Sequence, residues 1–168
     1  MLSIESVCQA LEGAPLAQAI EGSVFWWPFI ESGHLVSLTV LVGTITTFDI
    51  RLLGIGLRHI SVSRLVEHLL PWTWFAFAGS VLTGSLLFIS EAHSKYCFNP
   101  AFRIKLLLIL LSGLNMSVFH FTIYRSGLKW DEAAATPLWA KVVGSISTLL
   151  WLGVVIAGRW IGFVNAGV

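Results

Sequence analysis

Four predominantly apolar stretches, each near or above the roughly 20 residues an α-helix needs to cross a bilayer, leave this chain few folds to choose from. They run over about residues 29–52, 70–89, 104–123 and 142–164. Three polar joints separate them: "RLLGIGLRHISVSRLVEH", "SEAHSKYCFNPAFR" and "YRSGLKWDEAAATPLWAK". Composition agrees, with 56% of residues hydrophobic and only 11% charged, where a soluble domain is about a quarter charged. A soluble domain of this size cannot hide such an excess, because it leaves much of its surface in water. The expected fold is therefore all-α: an integral membrane four-helix bundle over residues 24–168, preceded by an arm over 1–23. A net charge of +1 offers no field for nucleic acid. No signal-peptide pattern is evident in the first twenty residues.

In the arm, Ile4, Val7, Cys8, Leu11, Leu16 and Ile20 recur at helical spacing, broken by Gly13 and Pro15. That pattern predicts an amphipathic segment lying on the membrane face. Orientation follows from Lys and Arg. Arg51, Arg58, Arg64, Arg125, Lys129 and Lys141 fall on one side, and Lys95, Arg103, Lys105 and Arg159 on the other, next to an N-terminal segment with no basic residue. Both termini are expected outside. Trp26, Trp27 and Trp160 then form the outer aromatic belt, and Trp72, Trp74, Trp130 and Trp139 the inner one. Cys8 and Cys97 share the outer, oxidising side, so a disulfide between them and two separate packed thiols both remain open.

The titratable residues inside the spans carry the functional question. In the first span Glu31 and Asp49 fall on one helical line about 27 Å apart, with Leu38, Val42 and Ile45 between them. His34 lies to one side of that line, with Ser37 and Thr44 beneath it. Charged groups in hydrocarbon normally face the bundle interior, so the side bearing Glu31, His34 and Asp49 is expected inward. Lys105 and Arg159 then become the cationic partners of Glu31. Gly79, Ser80, Thr83 and Gly84 read as a close-packing face, as do Gly144 and Thr148. Asn115 is expected to bond across helices, and Lys105 to snorkel outward.

A haem b site is the sharper alternative to a polar lock. His34 with His93 would supply an outer pair of ligands and His68 with His120 an inner one. Depth argues against both, since His68 and His93 bracket the membrane about 37 Å apart, and His34 and His120 differ in depth by roughly 15 Å. His59, His68 and His93 read more simply as solvated. Copper relays favour Met and Cys ligands, and Met1 and Met116 are the only methionines. No metal is expected beyond haem iron, and there is no catalytic triad or phosphate-binding glycine loop.

Four blocks, "ESGHLVSLTVLVGTITTFDIRLLG", "PWTWFAFAGSVLTGSLLF", "NPAFRIKLLLILLSGLNMSVFH" and "SISTLLWLGVVIAGRWIGF", together resemble an uncharacterised bacterial inner-membrane family of four-helix proteins, a domain of unknown function. The resemblance covers about residues 24 to 164. Its pattern carries Glu31, His34, Asp49, Arg51, Trp72, Thr83, Gly84, Asn99, Pro100, Lys105, Asn115, His120, Trp151, Gly158, Arg159 and Trp160 onto this chain, and omits His68 and His93. It implies a fold and a bacterial inner-membrane location, without an activity. A looser likeness to four-helix b-type cytochromes and copper-resistance membrane proteins is one of architecture only. Three functions follow as expectations: a haem b protein passing electrons between quinone and a partner, a non-catalytic subunit of a larger complex or homo-oligomer, and a small transporter with an outer polar vestibule.

Overall fold

The computed structural model describes residues 3–124 and 136–164, with the backbone alone for 122–124. Arg125, Lys129 and Trp130, used above for orientation, lie outside the described residues. Helices α1 (Ile4–Glu12) and α2 (Pro15–Glu21) form the arm. The long helices α3 (Trp26–Leu53), α4 (Val62–Ser90), α5 (Pro100–Val118) and α6 (Leu138–Trp160) follow, and no strand occurs among the described residues. All four are long and apolar enough to cross a membrane.

Local signals set the helix ends. Ser61 caps α4 by accepting from the Arg64 N–H, and Asn99 caps α5 by accepting from the N–H groups of Ala101 and Phe102. Helix α4 therefore begins eight residues before the expected 70, because a capped polar first turn extends the apolar run. Pro71 is accommodated inside the helix. Short π-helical segments, Ala92–Tyr96 and Phe119–Tyr124, link α4 to α5 and extend α5.

The helices pack in the order α4, α3, α6, α5. Helix α3 lies against both α4 and α6, and α5 lies against α6. Backbone contact between α4 and α5 is marginal at most. There, large side chains span the gap, with Phe88 of α4 stacked on Phe102 of α5 at 5.3 Å between ring centres.

The arm packs onto one end of the bundle. Ile20 of α2 joins Ile30 of α3 and Leu87 of α4 in a buried cluster. Cys8 of α1 forms a disulfide with Cys97, with Cα atoms 6.6 Å apart. The Glu12 carboxylate accepts from the backbone N–H groups of His93 and Ser94, at 2.5 and 2.9 Å. The expected amphipathic segment is thus tied to the bundle covalently and by a carboxylate, with Cys8, Ala17 and Ile20 buried and Ile4, Val7 and Leu16 left exposed. The end it covers is called the arm end below.

Candidate functional site

The α3–α4 seam is close because glycine faces a polar side chain at successive turns. A Cβ at Gly79 would lie 2.7 Å from the Ser37 hydroxyl, and one at Gly84 would lie 3.0 Å from Cε1 of His34. Gly84 thus makes room for the imidazole. The Thr83 hydroxyl donates to the Gly79 carbonyl at 2.6 Å, so its oxygen is left to accept from Nδ1 of His34 at 3.0 Å. With the proton on Nδ1, Nε2 of the neutral ring is an acceptor. The backbone of Ser80 also faces this ring. The Ser80 hydroxyl is buried, at 8% exposure, and its oxygen has no hydrogen-bond partner among the described residues. A buried hydroxyl without a partner costs about 1–3 kcal/mol.

Lys105 reaches this seam from the other side of the bundle. Asn99, wholly buried, fixes the start of α5. Besides capping that helix, its amide donates to the carbonyls of Ile161 and Val164, at 3.2 and 2.8 Å, locking it to the end of α6. Lys105 then lies one turn inside α5, along Gly158 of α6, where a Cβ would sit 3.6 Å from Nζ. Its ammonium is within electrostatic reach of the His34 imidazole. Among the described residues Lys105 has no ion pair and no hydrogen bond. An uncompensated cation within a membrane span is costly and marks a function more often than a packing detail.

An aromatic layer closes the site toward the arm end. Tyr96 lies 6.0 Å from Phe88 and 5.2 Å from Phe102 by ring centres. The Lys95 ammonium sits 5.6 and 5.7 Å from the Trp27 and Tyr96 ring centres and pairs with Glu91 at 2.7 Å. Burial first, then the carboxylates of Glu91 and Glu31, push the Tyr96 phenol up to about 12. Here one expectation fails. Glu31 is exposed, and no ion pair links it to Lys105 or Arg159 among the described residues. The arm docks on Ile30 and Trp27, so the α3 face carrying Glu31 turns outward, and its charge acts on Tyr96. Arg159 is likewise exposed, with its guanidinium 5.0 Å from the Phe163 ring centre.

His34 and His93 are not brought together. His93 sits in the π-helical segment after α4, its Nε2 3.4 Å from the Gln9 amide and 3.9 Å from Glu5. It is nine residues beyond Gly84, or about 14 Å further along the axis at 1.5 Å per residue. His68 is exposed and bonds its own Arg64 carbonyl at 2.8 Å. His120 is exposed, with its ring 5.5 Å from that of Phe121.

The remaining polar residues tie helices together. Thr73 of α4 donates to Thr44 of α3 at 3.0 Å, and Asn115 of α5 donates to the Val143 carbonyl of α6 at 3.2 Å. Asp49, buried at the far end, accepts from Thr148 of α6 at 3.2 Å. Arg51, expected in a solvated joint, is buried and donates to the Ile60 carbonyl and to Thr136 Oγ1, at 2.7 and 3.2 Å. Sequence reasoning missed Glu12, named Ser80 only as a packing residue, and carried Arg51 and Asn99 as contributors only through the family resemblance. For Asn99 the cue was the Asn-Pro pair before α5, which implies a cap; the other three depend on neighbours distant in sequence.

Four apolar helices with polar groups drawn between them define a multi-pass, all-helical membrane protein. The chain belongs to the family of unknown function DUF6644, whose model matches residues 18–164. No curated protein and no solved structure matches it, so the looser likeness to b-type cytochromes has no support beyond helix number.

Proposed function

We propose that this is a ligand-binding protein of the bacterial inner membrane, with both termini on the periplasmic side. Its ligand is held in the outer leaflet by His34, Ser80 and Lys105, with Thr83 orienting the imidazole. The observation that carries this reading is Lys105, a cation inside a span without a counter-ion among the described residues, within electrostatic reach of His34, whose ring the Ser80 backbone faces. A polar lock leaves no such groups over; Asn115, Thr73 and Asp49 all find partners. The positive-inside count supports the orientation, and the arm end is then periplasmic.

The test is mass spectrometry of material extracted from the purified protein. Wild-type protein carries a small molecule that Lys105→Met loses and Ser80→Ala holds in lower amount; identical extracts from all three overturn the reading. The redox form of the proposal, haem b passing electrons to a quinone, is decided on the same sample by its absorption spectrum. A Soret band abolished by His34→Ala supports it, and a colourless protein from haem-replete cells ends it.

A further inference from the structure

We infer that the ligand is an acidic amphiphile, a single-chain lipid with a carboxylate or phosphate headgroup, which enters sideways from the outer leaflet between α4 and α5. This rests on the binding site proposed above and names its ligand class.

Charge gives the headgroup. Among the described acids, Glu91 holds Lys95, and Glu31 lies exposed beside the Tyr96 layer without an ion pair to Lys105. Asp49 bonds Thr148 at the far end of α3, about 22 Å from His34 along the helix at 1.5 Å per residue. Among the described residues no side-chain acid therefore neutralises Lys105, and a bound anion would. Two donors suit an oxyanion: the Lys105 ammonium, within electrostatic reach of His34, and the buried Ser80 hydroxyl, whose backbone faces the same ring. A protonated acid would instead donate to Nε2 of His34, so carboxylate and phosphate headgroups are both accommodated.

Access gives the tail. The route from the arm end is closed by Phe88, Tyr96 and Phe102, and above them by the arm, held through the Cys8–Cys97 disulfide and the Ile20–Ile30–Leu87 cluster. The seams α3–α4, α3–α6 and α5–α6 are all packed. Only between α4 and α5 is the backbone contact marginal, and both helices are long and apolar enough to cross a membrane. A ligand that arrives in the bilayer plane and stays there has its own hydrocarbon chain.

The experiment is a titration of full-length protein, disulfide intact, in nanodiscs of zwitterionic lipid. The quenching of tryptophan fluorescence by a brominated oleate is followed, with oleoyl lysophosphatidate, oleyl alcohol, butyrate, inorganic phosphate and a short-tailed quinone as competitors. Saturable binding of the brominated oleate, displaced by lysophosphatidate and at least tenfold less well by oleyl alcohol, is expected. Lys105→Met should weaken it at least tenfold and Ser80→Ala about threefold, while Lys105→Arg, which keeps the charge, holds it within threefold. Should Lys105→Met fail to fold, Ser80→Ala and Lys105→Arg carry the test.

Each other outcome contradicts the inference. Equal displacement by oleyl alcohol or by the quinone, still dependent on Lys105, refutes the acidic headgroup and leaves the site standing. Butyrate or phosphate competing as well as lysophosphatidate refutes the lateral route. Saturable binding unchanged by all three substitutions, or none by any probe together with clean extracts, overturns the site as well.

Discussion

Asn99 shows how one side chain can hold an end of the bundle. Its Oδ1 accepts from two N–H groups at the start of α5, and its Nδ2 donates to two carbonyls at the end of α6. A cap alone is worth about 1 kcal/mol, and stranded buried partners add to the loss. Asn99→Ala should therefore destabilise by about 2–3 kcal/mol, read as a lower unfolding midpoint in detergent. Lys105 is the opposite case. Removing an unpaired charge from the interior should stabilise the ligand-free protein, so Lys105→Met is expected to unfold later than the stripped wild type by about 1–3 kcal/mol. A lower midpoint would mean that Lys105 has a structural partner after all. At Gly84, a leucine would drive into the His34 ring. Gly84→Leu should break the His34–Thr83 bond at an overpacking cost of about 1–3 kcal/mol, visible as loss of the Nδ1–H tautomer in nitrogen NMR.

At the scale of elements, the arm is the part whose docking depends on a covalent tie. Reducing Cys8–Cys97 leaves the Glu12 bonds and the Ile20 cluster in place, but removes the tether across a sequence separation of 89 residues. Amide exchange of residues 4–21 should accelerate at least tenfold on reduction, while the cores of α3 and α6 stay protected. Equal acceleration throughout would show that the disulfide holds the whole bundle. The arm also packs on the segment that ends at Tyr96. The raised pKa of Tyr96 means that the folded state favours the neutral phenol. The resulting contribution is fully present below about pH 10, the ordinary tyrosine value, and fades as pH rises toward about 12. Ultraviolet titration should accordingly show Tyr96 ionising later than a free tyrosine, a delay that Tyr96→Phe removes from the curve.

The same two scales explain what was legible in advance. The long helices were readable because an apolar run of span length has few other fates, and Asn99-Pro100 marked where α5 begins. The first turns of α4 were not, since "SRLVEH" is polar and its helix depends on the Ser61 cap. The inward face of α3 was right for His34 and Asp49. It was wrong for Glu31, because helical spacing orders residues around an axis without saying which neighbour covers each sector. The arm supplies that neighbour. Arg51 looked like a surface cation, and its burial rests on Ile60 and Thr136, the latter 85 positions away. Ser80 looked like a packing residue among glycines; its unpaired hydroxyl is visible only once its surroundings are placed.

For the whole molecule, these parts make a bundle closed at one end by a tethered arm and packed along three of its four seams. Lys105, without an ion pair or hydrogen bond among the described residues, stands on α5, one of the two helices of that fourth seam. The central claim is that a ligand completes this site. Native mass spectrometry of protein released from its own membranes tests that most directly, comparing wild type with Lys105→Met. The account predicts a discrete added mass on the wild type that falls at least tenfold in occupancy on the variant. Two bare chains of the calculated mass, or the same adduct on both, would contradict it.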